Sequence, residues 1–200
     1  MNVPAGTATL SIVEGEAGAE RWRFDTRAET ASWVSTFFQA RDRFITTTDG
    51  QLLPLEHRRE IREGRRQVDR VYRYDQAART VQTSEMTLPL GAESARDALS
   101  ALYYVRPLPL TAGSIVSVPM NEAGTALTLQ VSVAEAETIT YNNAAIQAIR
   151  LEPRVMRRVE RRRPITITLW LSADQRRIPL RAVIDAGFGL IRLELTDYRP

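Results

Sequence analysis

The chain has 200 residues, of which 44% are hydrophobic and 26% charged, and its formal net charge is +3. This composition is typical of one globular domain, and a charge so close to neutrality does not indicate a nucleic-acid-binding protein. The chain contains no cysteine, a single histidine (His57) and no lysine, which excludes thiol nucleophiles, iron–sulfur clusters, zinc sites built on Cys and His, Schiff-base chemistry and the P-loop lysine.

Most of the chain alternates apolar and polar residues with a period of two, as half-buried strands do. Clear examples begin at Trp22, Leu127, Ile165 and Ile191. The turn signals between such segments are Asp49–Gly50, Glu63–Gly64, Asn121–Gly124, Asn142–Asn143 and Gly187–Gly189. Together these patterns predict a mostly β fold with an antiparallel, up-and-down sheet of about ten to twelve strands. A sheet of that size normally curls, so we expect a barrel or an open half-barrel.

Two segments depart from this alternation. Apolar residues three and four apart predict one principal α-helix over about 92–105, packed on or in the sheet, which Gly91 begins and Pro107 ends. The segment 32–44 combines helical spacing with aromatic and β-branched residues, and we predict a strand there. No linker or low-complexity tract interrupts the chain, so we expect a single domain over residues 1–200.

No basic and apolar leader precedes the first strand pattern, MNVPAGTATLSIVE. The protein is therefore expected to be either cytosolic or exported with its signal peptide already removed.

The sequence offers little catalytic apparatus. His57 alternates with its neighbours as a strand residue does, and no serine lies in a G-x-S-x-G motif. Glu135 and Glu137 fall on one strand face, which leaves a carboxylate-based hydrolase or lyase acting on envelope glycans as one alternative. We expect no catalytic residue, no metal site and no cofactor.

Six arginines crowd the stretch 154–163. They are Arg154, Arg157, Arg158, Arg161, Arg162 and Arg163. Period-two alternation would place them on both sides of a strand, so we expect an exposed, irregular or edge segment. Guanidinium groups bind phosphates and carboxylates well, and the stretch is either an anion patch for an anionic polymer or a solvated face.

Two longer segments carry a resemblance to a known family. They are DALSALYYVRPLPLTAG (97–113) and TLWLSADQRRIPLRAVIDAGFGLIRLEL (168–195), and AGTATLSI and LLPLEHRREIREGRR occur before them in the expected order. The chain resembles, over nearly its whole length, the exported bacterial proteins catalogued as domain of unknown function 3108. The resemblance implies export to the periplasm or cell surface behind a signal peptide, and it implies no established activity.

The aromatic residues suggest a function for such a fold. A curved sheet around one helix has an inner face, which is either a filled core or an apolar groove. We therefore expect a non-catalytic periplasmic protein that binds a lipid or another hydrophobic or amphiphilic ligand in a half-barrel groove. The expected ligand-binding residues are Trp22, Phe24, Tyr103, Tyr104, Arg106, Trp170, Asp174 and Arg177.

Two further expectations accompany this one. The family motifs are either part of a ligand site or structural, with the helix docked through Tyr103 and Trp170, Arg106 paired to a carboxylate and Asp174 stabilising a turn. The alternative function is an interaction scaffold that docks a partner protein or an acidic polysaccharide through the arginine-rich surface. We expect no nucleic-acid partner and no transmembrane segment, and the oligomeric state is left open.

Overall fold

The computed structural model describes residues 4–15, 21–36, 38–156, 165–185 and 189–199. Within these ranges the chain forms thirteen strands and two helices. The strands are β1 (Gly6–Glu14), β2 (Arg21–Thr30), β3 (Arg41–Asp49), β4 (Pro54–Glu63), β5 (Arg66–Asp75), β6 (Thr80–Gln82), β7 (Thr87–Pro89), β8 (Ile115–Glu122), β9 (Thr125–Tyr141), β10 (Ala144–Met156), β11 (Thr166–Ser172), β12 (Pro179–Asp185) and β13 (Leu190–Glu194). The helices are α1 (Ser32–Ser35) and α2 (Ala98–Val105).

The mostly β, antiparallel, up-and-down character predicted from the alternation is confirmed. The strands form two sheets, however, and not one. The first contains seven strands in the order β1-β2-β3-β4-β5-β6-β7, and the second contains six in the order β13-β12-β11-β10-β9-β8. Neither sheet closes into a barrel among the described strands.

The chain divides into two compact units. Unit 1 comprises Met1–Leu102 and Pro119–Ala126, and it contains the seven-stranded sheet. Unit 2 comprises Tyr103–Val118 and Leu127–Pro200, and it contains most of the six-stranded sheet. One domain over 1–200 stays a prediction.

The turn signals in the sequence correspond to real hairpins. Asn142 and Asn143 both have positive φ values, and they connect β9 to β10 as the two central residues of a tight hairpin require. Ala123 and Gly124 do the same between β8 and β9. Of the predicted turn at 187–189, residues 187 and 188 lie outside the described residues.

The seven-stranded sheet has one apolar and one charged face. We call the face that carries Phe24, Tyr72, Tyr74 and Val81 the inner face, and all four of these side chains are buried. Leu90 and its neighbours up to residue 100 lie against it within unit 1, where Leu90 packs in a cluster with Tyr72 and Tyr74. The inner face is therefore the core of unit 1.

The opposite face is charged. Asp25 accepts hydrogen bonds from Arg27 and from Arg43, the latter at 2.5 Å between Asp25 Oδ2 and Arg43 Nη2. The Arg43 hydrogen bond is the main reason that the pKa of Asp25 falls to about 2, against an opposing effect of burial. Arg27 and Arg43 are thus neutralised by a carboxylate of the same face.

The six-stranded sheet of unit 2 also has an apolar face. Leu151, Leu169 and Leu193 follow one another across β10, β11, β12 and β13 through the register, with Ala182 between the last two. Leu151 is buried, whereas Leu193 on the edge strand is exposed. Burial therefore decreases toward β13.

Helix α2 is shorter than predicted. It begins at Ala98 and not near 92, because the Asp97 side chain accepts hydrogen bonds from the backbone N–H groups of Leu99 and Ser100. Gly91, expected to begin the helix, has a φ of 82° and lies outside it. The end is as predicted, since the last helical residue is Val105 and Pro107 follows closely.

The prediction of a strand over 32–44 is wrong for its first part. Ser32–Ser35 is one turn of helix. The hydroxyl of Ser35 donates to the backbone carbonyls of Thr30 and Ala31. Only from Arg41 onward does the segment join β3.

Within the described ranges, no helix has the length and apolarity needed to cross a membrane.

Replacing Gly124 with alanine is expected to destabilise unit 1 more than replacing Gly64. Both glycines have positive φ values, so alanine adds roughly 1–2 kcal/mol of backbone strain at either position. At Gly124 the new Cβ would also collide with the Leu88 side chain, at a further cost of about 1–3 kcal/mol, whereas the space at Gly64 is open. Urea unfolding of both variants measures the difference, and equal losses would contradict the packing described here.

Candidate functional site

A line of directly opposed residues crosses the inner face, and its members on β2, β3, β4 and β5 are buried. The register places them side by side on five strands, and we call them the His57 row. Its members are Ile12, Phe24, Thr46, His57 and Tyr72. Directly opposed residues of antiparallel strands share a face, so these side chains lie together.

His57 belongs to a buried hydrogen-bonded chain that ends on α2. Its Nδ1 atom lies 2.8 Å from the Thr46 hydroxyl, which lies 3.0 Å from Asp97 Oδ1. The hydroxyl of Ser100 donates to the other carboxylate oxygen at 3.0 Å. An ionised carboxylate only accepts, so Thr46 donates to Asp97 and accepts from His57. Neutral His57 therefore carries its proton on Nδ1.

The surroundings of His57 favour its neutral form. Burial lowers the pKa of His57 below its ordinary value of 6.5, and the Asp97 carboxylate, 3.8 Å from Nδ1, opposes this effect in part. The ring also stacks between Phe44 and Tyr72. Since Thr46 and Ser100 are completely buried, no hydroxyl of this chain of groups is presented to a substrate. Its geometry is that of a structural network.

A second row of directly opposed residues lies beside the His57 row. Its side chains change from apolar at β1 to basic at β4 and β5. It contains Leu10, Thr26, Phe44, Arg59 and Arg70, and we call it the Phe44 row. Leu10 is 44% exposed, Phe44 is half-buried, and the Arg59 guanidinium lies 5.9 Å from the Phe44 ring centroid. This row reaches both the open part of the inner face and a cationic end.

The cationic end joins two arginines in direct opposition. Arg59 on β4 is the register partner of Arg70 on β5, and like charges placed in this way repel. Glu122 lies 3.9 Å from the Arg59 guanidinium, at the limit of ion-pair distance. Among the described residues Arg70 has no carboxylate within ion-pair distance, and Arg59 Nε is buried without a hydrogen-bond acceptor. An anion would supply what this pair lacks.

The other opposed arginine pair of the sheet is different. Arg27 and Arg43 are register partners on the charged face, and Asp25 forms ion pairs with both. A carboxylate close to both guanidinium groups therefore neutralises this opposed pair. At Arg59 and Arg70 the compensation is weaker.

The residues predicted to bind a ligand fall into two groups. Trp22 and Phe24 lie on the inner face of unit 1, with Phe24 buried and Trp22 half-buried. The other six lie in unit 2. They are Tyr103, Tyr104, Arg106, Trp170, Asp174 and Arg177.

In unit 2 the two family motifs contact each other. Arg106, at the end of α2, donates hydrogen bonds to the backbone carbonyls of Arg176 and Arg177, and its guanidinium lies 5.4 Å from the Tyr103 ring centroid. The expected carboxylate partner is therefore replaced by carbonyls of the turn after β11. A guanidinium that holds a turn in this way has a structural role.

The turn and Trp170 make local contacts as well. Asp174 accepts hydrogen bonds from Ser172 and Arg176, which lower the pKa of its carboxyl. Both donors are side chains within the turn, and the turn-stabilising role expected from the sequence stays a prediction. The Trp170 indole donates to Glu137, and the Arg181 guanidinium lies over its ring.

The arginine run is described only at its beginning. Arg154 is an exposed residue of β10. The other five arginines lie outside the described residues. The anion patch stays a prediction.

The sequence reading missed the main members of the Phe44 row. Period-two alternation places Arg59 on the same strand face as His57, but no signal in the sequence sets β4 opposite β5 in the register that joins Arg59 to Arg70. Leu10 belonged to the first strand pattern, yet its exposure depends on β1 being an edge strand.

Comparisons with known proteins gave one match. A family model described as "Protein of unknown function (DUF3108)" matches residues 1–196. No curated protein and no solved structure matches the chain.

The burial of His57 predicts a stability that falls on mild acidification. Above pH 6.5 neither folded nor unfolded His57 is protonated, so it adds no pH dependence. Below 6.5 the unfolded chain takes up a proton that folded His57 resists, so the free energy of unfolding decreases until the pH reaches the lower pKa of the folded state. The maximum slope for one such group is about 1.4 kcal/mol per pH unit.

Urea unfolding of the wild type and of His57→Gln between pH 5 and 8 measures this effect. Because His57 is the only histidine, the variant should lose the slope just below pH 6.5. The same slope in both proteins would contradict a neutral, desolvated His57.

Proposed function

The chain belongs to the DUF3108 family of proteins of unknown function; since membership carries no activity with it, we propose from the geometry of unit 1 that the protein is a non-catalytic binder of an anionic amphiphile. The ligand would lie along the Phe44 row, with its apolar chain toward β1 and its charged group at Arg59 and Arg70. The observation that carries this proposal is the passage, within one row, from the exposed Leu10 and the half-buried Phe44 to two opposed arginines.

The apolar part of the site lies on β1 and β2. Leu10 and Ile12 are 44% and 46% exposed on the inner face, and Trp22 is half-buried near them. Neighbouring apolar side chains left open to water on one face favour an apolar occupant, since covering them releases water at roughly 25 cal/mol per Å². This part of the site suits a hydrocarbon chain.

The basic part suits a carboxylate, sulfate or phosphate group. Guanidinium groups form paired hydrogen bonds with such anions. Arg59 and Arg70 repel each other without one, so an anion between them both forms hydrogen bonds and removes a repulsion. A neutral ligand would gain neither effect.

The dimensions of the row fit a single extended chain. Five neighbouring strands span four inter-strand distances, or roughly 19 Å. A long aliphatic chain with one terminal charge matches the order of chemistry along this distance.

The half-barrel groove and the periplasmic location expected from the sequence are part of the same proposal. A curved sheet would give the row side walls, and an envelope protein would meet anionic amphiphiles. What supports the location is the resemblance described above.

Laurate is expected to bind, and dodecanol, its neutral counterpart, to bind more weakly. Quenching of tryptophan fluorescence and calorimetric titration both measure this. Arg59→Gln and Arg70→Gln should each weaken laurate binding by about tenfold, or 1.4 kcal/mol, with little change for dodecanol. Higher salt should weaken laurate binding because Arg70 is exposed.

The matched control is Arg73→Gln. Arg73 lies on the same strand as Arg70 but on the opposite face, where it pairs with Glu56. The Arg73→Gln substitution should leave laurate binding unchanged. Equal effects of all three substitutions, or equal binding of laurate and dodecanol, would contradict the proposed head-group site.

Leu10→Ser should weaken the binding of both laurate and dodecanol. No effect on either would contradict the proposed apolar part of the site.

A further inference from the structure

The outer strands of the two sheets differ in how they are protected against pairing with another chain. β7 has only three residues and ends in Pro89. β8 contains Pro119, and β13 has five residues with Arg192 at its centre. Short length, proline and central charge are the usual features that stop a sheet edge from adding a strand.

β1 has none of these features. It is nine residues long, contains no proline, and its only charged residue is Glu14 at the end. Every residue of the strand is exposed, and β2 is its only sheet neighbour. Among the described residues it is therefore the long edge strand that carries no proline and no charge before its last residue.

Two backbone hydrogen bonds show which groups of β1 point away from β2. Gly15 N–H donates to the Arg21 carbonyl, and Ala31 N–H donates to the Ala5 carbonyl. These bonds mark the positions that face β2, and positions two apart along a strand repeat the pattern. The odd-numbered residues of β1 thus bond to β2. The even-numbered residues, Gly6, Ala8, Leu10, Ile12 and Glu14, point their N–H and C=O groups outward.

We propose that the β1 edge pairs with β1 of a second copy of this chain, in antiparallel orientation about a twofold axis at Leu10. This register uses the whole strand, because residue 6 then lies opposite 14 and residue 8 opposite 12. Each outward-pointing residue meets an outward-pointing residue, which is the condition for paired hydrogen bonds. The two seven-stranded sheets become one continuous sheet.

The side chains of β1 are compatible with this self-pairing. Leu10 meets Leu10 on the inner face, and Ala8 meets the larger Ile12. Glu14 meets Gly6 rather than its own copy, so the strand's charged residues do not repel each other. On the opposite face Thr9 meets Ser11 in a non-hydrogen-bonded pair, where side chains approach most closely. A second copy supplies the same length, polarity and hydrogen-bonding phase as the edge that it would cover.

Charged substitutions at Thr9 and Ser11 test both the interface and its register. In the dimer each of these residues lies opposite the other from the second copy. Thr9→Lys with Ser11→Lys places two repelling pairs across the axis and should weaken dimerisation by about tenfold. Thr9→Lys with Ser11→Glu places two attracting pairs there and should restore or exceed wild-type affinity. Sedimentation over a range of concentrations measures the dissociation constants.

The matched control is Ala77→Lys with Ala78→Lys. These exposed residues lie in the turn between β5 and β6, so they add the same charge away from the edge. The control should dimerise like the wild type. A wild type that stays monomeric at all concentrations overturns the proposal, and so does a dimer that the Lys/Lys variant leaves unchanged or that the Lys/Glu variant fails to restore.

Amide hydrogen exchange of the wild type provides a test without substitutions. Thr9 and Ser11 amides bond to β2 and should be protected at any concentration, whereas Leu10 and Ile12 amides should gain protection only as dimer forms. Leu10 protection that is independent of concentration overturns the proposal. Because Thr9 and Ser11 lie on the face opposite Leu10, failure here and failure of laurate binding are separate results.

Discussion

A buried carboxylate, Asp97, determines how unit 1 is put together. The first backbone N–H groups of a helix need acceptors, and Asp97 provides them for Leu99 and Ser100. The same carboxylate accepts from Thr46 on β3, which ties the beginning of α2 to the middle of the inner face. Since burying a charge is costly without such partners, the helix, the sheet and His57 depend on one another. The part of the inner face beyond this contact is what stays open toward β1.

The sequence was sufficient to predict the strands but not their grouping. Period-two alternation and turn residues are local properties, and they located hairpins such as those at Asn142–Asn143 and Gly124. Whether the strands form one sheet or two depends on contacts between distant residues, and these leave no local signal. The beginning of α2 was missed for a related reason. Gly91 was expected to begin the helix, and only the side-chain contacts of Asp97 select the actual start at Ala98.

The candidate site was predictable in its chemistry and not in its position. The aromatic residues, the expected inner face of a curved sheet and the arginines suggested an amphiphile from the sequence. The site itself depends on strand register, because a shift of one residue would move Arg59 to the other face. Trp22 and Phe24 were expected on it and lie beside it, whereas Arg106 was expected to bind a carboxylate and holds backbone carbonyls instead. Short-range patterns identify the groups that are available, and tertiary pairing decides which of them meet.

The strand order of the seven-stranded sheet, β1 to β7 in chain sequence, has a consequence for how the chain folds. Each strand pairs with the strand made just before it, so the sheet can grow by one hairpin at a time with little loop-closure entropy. Other contacts join distant parts of the chain, among them the bond between Thr46 and Asp97, which are 51 residues apart. We expect this contact to form late, after the meander is complete. Until then the middle of the growing sheet is exposed to solvent, and a nascent chain would present this apolar surface to chaperones.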